Sequence, residues 1–296
     1  IHQTKYANFV VNSYQEEYCG GRELKSISTP CPCAELKEPP EPIATIPWIG
    51  AKGAPSLVGK LFWLARGTRP DLSVVCQKIA RRVADWRRTD DAIVHRAMRY
   101  LKHTLGLGLH YWGDPRERLL VLLEAWADAD HGGEVVDTKS TTGGAVTLKA
   151  VRTFGLLEWG AKRQGSTSRN TAEAELTSMA DVTTKAALPL GTLWEVLLRR
   201  VVSILLRNDN SAAVLDVERG YSRALAYLVK HQRLSLGTLH EEFVEDPANA
   251  VRKADSRRML ADLLTKPIAH DRHWTLVLML GMGFGAPGIS PSQSKF

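Results

Sequence analysis

The chain has 296 residues, 44% of them hydrophobic and 24% charged, a balance that fits a soluble globular class and excludes disorder. Thirty-nine Lys and Arg against 32 Asp and Glu give a net charge of +7, which leans towards an anionic partner, nucleic acid being the commonest. No run approaches the roughly 20 apolar residues of a membrane span, and the four cysteines form no paired CxxC set, so reduced thiols are expected rather than a zinc or disulfide framework.

In chain order, Ile1, Tyr6, Phe9, Val10 and Tyr14 mark a helical stripe over residues 1–18. The start at Ile1 rather than Met suggests a piece of something longer. Pro30, Pro32, Pro39, Pro40, Pro42, Pro47 and Pro55 then predict an extended linker over 30–55. Three helices follow. Ser56 is the expected N-cap of the first, with Leu57, Leu61 and Leu64 on one face. Pro70 opens the second, which carries Leu72, Val75, Ile79, Val83 and Trp86. Thr89 caps the third, with Ile93, Ala97, Tyr100 and Leu101, and it stops near Gly106. Asp90 and Asp91 lie just after that cap and read as helix-dipole partners rather than a metal pair.

From residue 107 the texture becomes β-rich. Strands are expected from Leu107 to Trp112, Leu119 to Ala127, Gly143 to Lys149 and Thr153 to Trp159, with Trp159 in the core. A helix from Asn170 to Ala187 should break at Pro189 and Gly191, with another helical stretch from Leu193 to Leu198. Val201 to Leu206 reads as a buried strand that ends at Asp209, followed by a short helix from Ser211 that Gly220 stops. Helices are expected from Arg223 to Gln232 and Ser235 to Phe243, a short strand from Ala250 to Ala254, and a last helix capped by Ser256 and running through Thr265. That order is mixed α/β.

Four acids each interrupt an apolar element: Asp128, at the end of a strand where Asp130 shares its face, Glu175 in the first turns of a helix, Asp209 at a strand end, and Asp262 between Leu260 and Leu263. An exposed helix acid is the plainer reading of Asp262 alone. Together, one acid each from strand, helix, strand and helix suggests convergence on a hard divalent cation, and that chemistry is usually phosphoryl transfer or phosphodiester hydrolysis.

The runs Trp126-Ala-Asp-Ala-Asp-His-Gly-Gly, Thr138-Lys-Ser-Thr-Thr-Gly-Gly, Trp159-Gly-Ala-Lys-Arg-Gln, Ser168-Arg-Asn-Thr-Ala-Glu-Ala-Glu-Leu, Asp209-Asn-Ser-Ala-Ala and Leu260-Ala-Asp-Leu-Leu-Thr-Lys-Pro resemble, in order and spacing, the ribonuclease H domain of copia-type (Ty1/copia) retrotransposon polyproteins. Upstream, the run from Ser56 to Asp71 and that from Arg99 to Leu109 resemble the segment joining reverse transcriptase to that domain, and His2-Gln-Thr-Lys-Tyr resembles the end of the polymerase domain. No Tyr-x-Asp-Asp polymerase signature is present. The departures are His131 and Leu176, where the family has aromatics, and the 222–231 run, where the match to a histidine-bearing run weakens to Ser222-Arg223-Ala224-Leu225 and Lys230-His231 comes later.

The resemblance implies a ribonuclease H-like α/β fold, a mixed sheet flanked by helices and preceded by a helical connection segment. It divides the chain into the end of a reverse transcriptase-like domain at 1–29, a Pro-rich linker at 30–55, the connection segment at 56–110, the ribonuclease H-like domain at 111–270, and a C-terminal helix and tail at 271–296. It implies that Asp128, Glu175, Asp209 and Asp262 bind two Mg²⁺ ions, for which Mn²⁺ can substitute, and that they catalyse cleavage of the RNA strand of RNA/DNA hybrids. Lys162, Arg163 and Asn210 would contact the nucleic acid. The implied partners are the hybrid and the upstream reverse transcriptase of the same polyprotein, with no membrane. The implied setting is intracellular, in a cytoplasmic virus-like particle or the nucleus. A decayed or domesticated copy that binds nucleic acid without cutting is the competing expectation.

Overall fold

The structure, a computed structural model, describes residues 1–33, 47–130, 139–165, 167–222 and 230–284. Cα packing divides the chain into two units. One comprises Ile1–His110 with the described residues from Lys266 to Phe284, and the other Tyr111–Thr265.

In the first unit the helix Thr4–Cys19 buries Ala7, Val10, Val11 and Tyr14 and stops at Gly20, whose φ of 57° ends it in the left-handed region. The next helix, Gly50–Gly67, starts earlier than Ser56 and takes Pro55 inside it. The missing N–H forfeits one helical bond, but Ala54, Leu57, Leu61 and Leu64 are all buried, and their packing outweighs that loss. The extended reading of residues 30–55 therefore fails from Gly50 onward, while 34–46 lie outside the described residues. The Pro70 helix begins as a 3₁₀ turn, Pro70–Leu72, and its α-helical part, Ser73–Ala80, ends before Trp86. The helix Arg88–His103 is capped by Arg87 instead of Thr89, because Asp90 accepts the Arg87 N–H at 2.8 Å. Both acids of the Asp90-Asp91 pair serve this helix start, Asp91 taking the Trp86 Nε1–H at 2.7 Å and Arg88 at 2.8 Å. β1 (Leu107–Leu109) pairs antiparallel with β7 (Met282–Phe284) in a two-stranded sheet of its own, so it does not extend the larger sheet.

The second unit is built on a five-stranded mixed sheet in the order β4-β3-β2-β5-β6, with β2 (Leu122–Asp130), β3 (Thr141–Lys149), β4 (Phe154–Arg163), β5 (Ile204–Asn208) and β6 (Ala250–Lys253). β2 is central, antiparallel to β3 and parallel to β5. The arrangement is ribonuclease H-like, as the sequence suggested. Leu123, Ala125 and Ala127 alternate along β2 and meet Leu176, Met179 and Val182 of the helix Thr171–Val182 in one core. Asn170 caps that helix by accepting the Glu173 N–H at 2.9 Å, and Glu173 reaches back to the Arg169 N–H at 2.9 Å.

Pro189 does not break the helical run. A π turn, Thr183–Ala187, shifts the hydrogen-bond register, and Pro189 falls in the opening positions of the next helix, Leu188–Leu198, where its N–H is not needed. The expected helix from Ser256 to Thr265 also differs. Asp255 caps a 3₁₀ turn, Ser256–Arg258, and only Asp262–Thr265 is α-helical, so Asp262 starts a single turn. Trp159 is half-exposed on β4 rather than core. Of the helix expected from Arg223 to Gln232, residues 223–229 lie outside the described residues, and the described helix is Lys230–His240.

Candidate metal centre

β2 carries Asp128 in its last turn of pleat, and the parallel register that pairs Trp126 with Arg207 brings Asp209, two residues on, alongside it. The helix Thr171–Val182 lies against β2 and supplies Glu175 from its second turn. One carboxylate oxygen from each of Asp128, Glu175 and Asp209 lies within 4.8 Å of the other two. Asp128 and Glu175 are buried and Asp209 is partly exposed, so the cluster opens to solvent on the Asp209 side.

The surrounding hydrogen bonds fix two of these acids, Glu175 and Asp128. Glu175 Oε2 accepts the Ala129 N–H at 3.1 Å and the Asn208 amide at 2.9 Å. The same amide reaches Ala127 O at 2.8 Å, and Asn208 Oδ1 accepts the Asn210 N–H at 2.9 Å. Ser178 donates to the Asp128 carbonyl at 2.7 Å, and the Thr265 hydroxyl donates to Asp128 Oδ2. Three carboxylates so close repel one another, most strongly in a buried setting, and a divalent cation between them offsets that repulsion. The donor set is all oxygen, without imidazole or thiolate, and fits a hard cation of the Mg²⁺, Mn²⁺ or Ca²⁺ type. The triad can hold a metal ion.

The other expected site residues sit as follows. Asp262 is buried at the first position of its turn and does not belong to the mutually close set. Lys162 and Arg163 end β4 and are exposed, in register with Thr142 and Thr141 of β3. The alternation of the strand puts Arg163 on the sheet face of Asp128 and Lys162 on the opposite one. Asn210 caps the helix Ser211–Arg219, its side-chain oxygen accepting the Ala212 and Ala213 N–H groups at 2.9 and 3.1 Å. His131 and the side chain of His231 lie outside the described residues.

Two residues beside the acids were missed from the sequence, Asn208 and Thr265. Asn208 sits in the same strand end as Asp209, and an amide there, at the end of an apolar strand, was the available signal. Thr265 was visible only as part of the Leu-Thr-Lys-Pro run, with nothing to say that it faces Asp128.

No protein-family model matches the chain. It is 28% identical over 180 residues to the uncharacterized mitochondrial protein AtMg00810 of Arabidopsis thaliana, covering 61% of this chain and 68% of that protein. It is 24% identical over 293 residues to the retrovirus-related Pol polyprotein from transposon TNT 1-94 of Nicotiana tabacum, covering 95% of this chain and 20% of the polyprotein. With the Pol polyprotein from transposon RE2 of Arabidopsis thaliana it shares 27% identity over 219 residues, 72% of this chain and 14% of that one. The chain is a relative of the copia-type retrotransposon Pol polyproteins, similar to one portion of their length.

Proposed function

We propose that the chain carries the ribonuclease H portion of a copia-type Pol polyprotein, preceded by its connection segment, and hydrolyses the RNA strand of RNA/DNA hybrids. The observation that carries this reading is the meeting of Asp128, Glu175 and Asp209, from a central strand, a helix and the end of the parallel neighbouring strand, within 4.8 Å. Similarity to retrotransposon Pol polyproteins supplies the context in which a hybrid arises.

When bound, a pair of Mg²⁺ ions would activate water and stabilise the leaving 3′ oxygen of a phosphodiester. The chain's own part is to hold the carboxylates. Asp128 and Glu175 are buried and pinned by protein hydrogen bonds, whereas Asp209 stands at the solvent side where a backbone phosphate would approach. Arg163, exposed on the Asp128 face, would meet phosphates flanking the cut, with Lys162 adding to the local positive field. Asp262, one turn before Thr265, is the fourth acid of the proposed set and would join from the edge of the cluster. The proposed partners are the hybrid and the reverse transcriptase of the same polyprotein, and the proposed setting is intracellular. Among the described residues no helix is long and apolar enough to cross a membrane.

The test is cleavage of an end-labelled RNA/DNA hybrid with and without Mg²⁺, against single-stranded RNA and duplex DNA. Mg²⁺-dependent cutting of the hybrid's RNA strand alone supports the reading. Hybrid binding without any cutting would overturn it and leave a nucleic-acid-binding protein.

A further inference from the structure

Thr265 ends the single helical turn Asp262–Thr265, is buried, and gives its hydroxyl proton to Asp128 Oδ2. A helical threonine ordinarily back-bonds to the carbonyl four residues earlier, and Ala261 O is within reach at 3.3 Å. A hydroxyl has one proton, and the closer acceptor is the carboxylate, a charged and therefore stronger partner.

The residue opposite Asp128 makes room for this contact. In the β2–β3 ladder Asp128 faces Gly143, and a Cβ at Gly143 would overlap Thr265 Cγ2 and come within 3.1 Å of Ala261 O. The turn therefore lies directly on the Asp128–Gly143 pair, with the threonine methyl in the space a side chain would take. Asp128 is thus held at its main chain by Ser178 and at its carboxylate by Thr265.

We propose that Thr265 is a positioning residue that sets the Asp128 carboxylate for a divalent cation without ligating the cation itself. The inference rests on the metal-centre reading above. A neutral donor suits the task, because it orients the carboxylate and leaves its charge for the cation, whereas a lysine or arginine there would compete with the metal.

The experiment titrates Mg²⁺ and Mn²⁺ into the metal-free full chain by calorimetry, for the wild type, Thr265→Val and Thr265→Ser, with apo melting temperatures recorded in parallel. Thr265→Val keeps the shape and removes the hydroxyl, while Thr265→Ser keeps the hydroxyl and removes the methyl. The expected result is a loss of about tenfold in cation affinity for Thr265→Val, in line with other groups that orient metal ligands, with affinity retained by Thr265→Ser. A threonine that serves packing alone gives the reverse, with Thr265→Val matching the wild type and Thr265→Ser melting lower. Unchanged affinity in Thr265→Val beside a wild type that binds overturns this inference and spares the metal centre. A wild type that takes up neither ion overturns both. If Thr265→Val does not fold, Thr265→Ala against Thr265→Ser makes the same comparison.

Discussion

Asn208 donates its side-chain amide to Glu175 Oε2 at 2.9 Å and to Ala127 O at 2.8 Å, joining the helix that bears one acid to the two strands that bear the others. The amide is fully buried, so its partners have no water to fall back on. Asn208→Asp keeps the shape, turns a donor towards Glu175 into an acceptor, and adds a carboxylate to an acidic cluster. In EDTA the variant should be less stable by about 2 kcal/mol, the scale of an unsatisfied buried group. Mg²⁺ should return part of that loss, because a cation offsets the added repulsion. Urea unfolding in EDTA and in Mg²⁺ checks both halves, and equal stability of variant and wild type in EDTA would refute the role of the amide.

The sheet was legible because its strands declared themselves locally, and three of the four expected acids meet at its strand ends while Asp262 lies outside the close set. The run from Leu119 to Ala127 reads as a strand, and the period of two puts Asp128 and Asp130, at its end, on one face. What escaped depended on contacts distant in sequence. Pro55 and Pro189 were read as breakers, yet burial held one inside a helix and a π turn found the other a position that needs no N–H. The Leu107 strand is expected from its apolar run, but its partner is β7, some 170 residues away, and no local pattern encodes that choice. Thr265 and Asn208 escaped for the same reason, since neutral residues acquire a role only when the fold places an acid beside them.

Gly143→Ala should destabilise the second unit. The added methyl would meet Thr265 Cγ2 and sit 3.1 Å from Ala261 O and 3.3 Å from Leu264 Cβ, which overpacks the contact between β3 and the turn. The expected cost is about 1–3 kcal/mol. Adding Thr265→Ser removes the nearest obstacle, so the double variant should lose less than the sum of the two single changes. A double-mutant cycle by denaturant unfolding measures the coupling, and strict additivity would show that the turn does not rest on Gly143.

Acid should weaken the first unit through His273. Tyr100 donates to Asp71 Oδ2 at 2.8 Å and lies 3.0 Å from His273 Nε2, while Arg69 pairs with Asp71 at 2.7 Å. Burial, opposed in part by the nearby Asp71, lowers the His273 pKa from 6.5 to about 4. The folded state thus binds the proton less readily than the unfolded one. The stability this histidine contributes is complete above pH 6.5 and is lost as pH falls towards 4, on the order of 3 kcal/mol in all. His95, also lowered to about 4 mainly by burial, adds a slope of the same sign in the same window. His273→Gln should flatten the fall in urea midpoint between pH 7 and pH 4.5, and an unchanged slope would assign the acid sensitivity elsewhere.

Asp209→Asn separates cleavage from folding. Asp209 is the partly exposed member of the triad, and the swap keeps its shape while removing one negative charge from the cluster. On the proposed function, hybrid cleavage in Mg²⁺ should fall by orders of magnitude, since charges that hold catalytic cations supply most of the stabilisation in such sites. Hybrid binding without metal should persist or tighten slightly, because a carboxylate that repels the phosphates is gone. The fold should survive and gain in EDTA, as acid–acid repulsion is relieved while the pinned pair of Asp128 and Glu175 keeps its hydrogen bonds to Thr265 and Asn208. Cleavage rates, hybrid affinities and melting temperatures in matched salt decide it. Equal cleavage by the two proteins would remove Asp209 from the metal centre, and a lower melting temperature for the variant in EDTA would mean that the acid serves the fold instead.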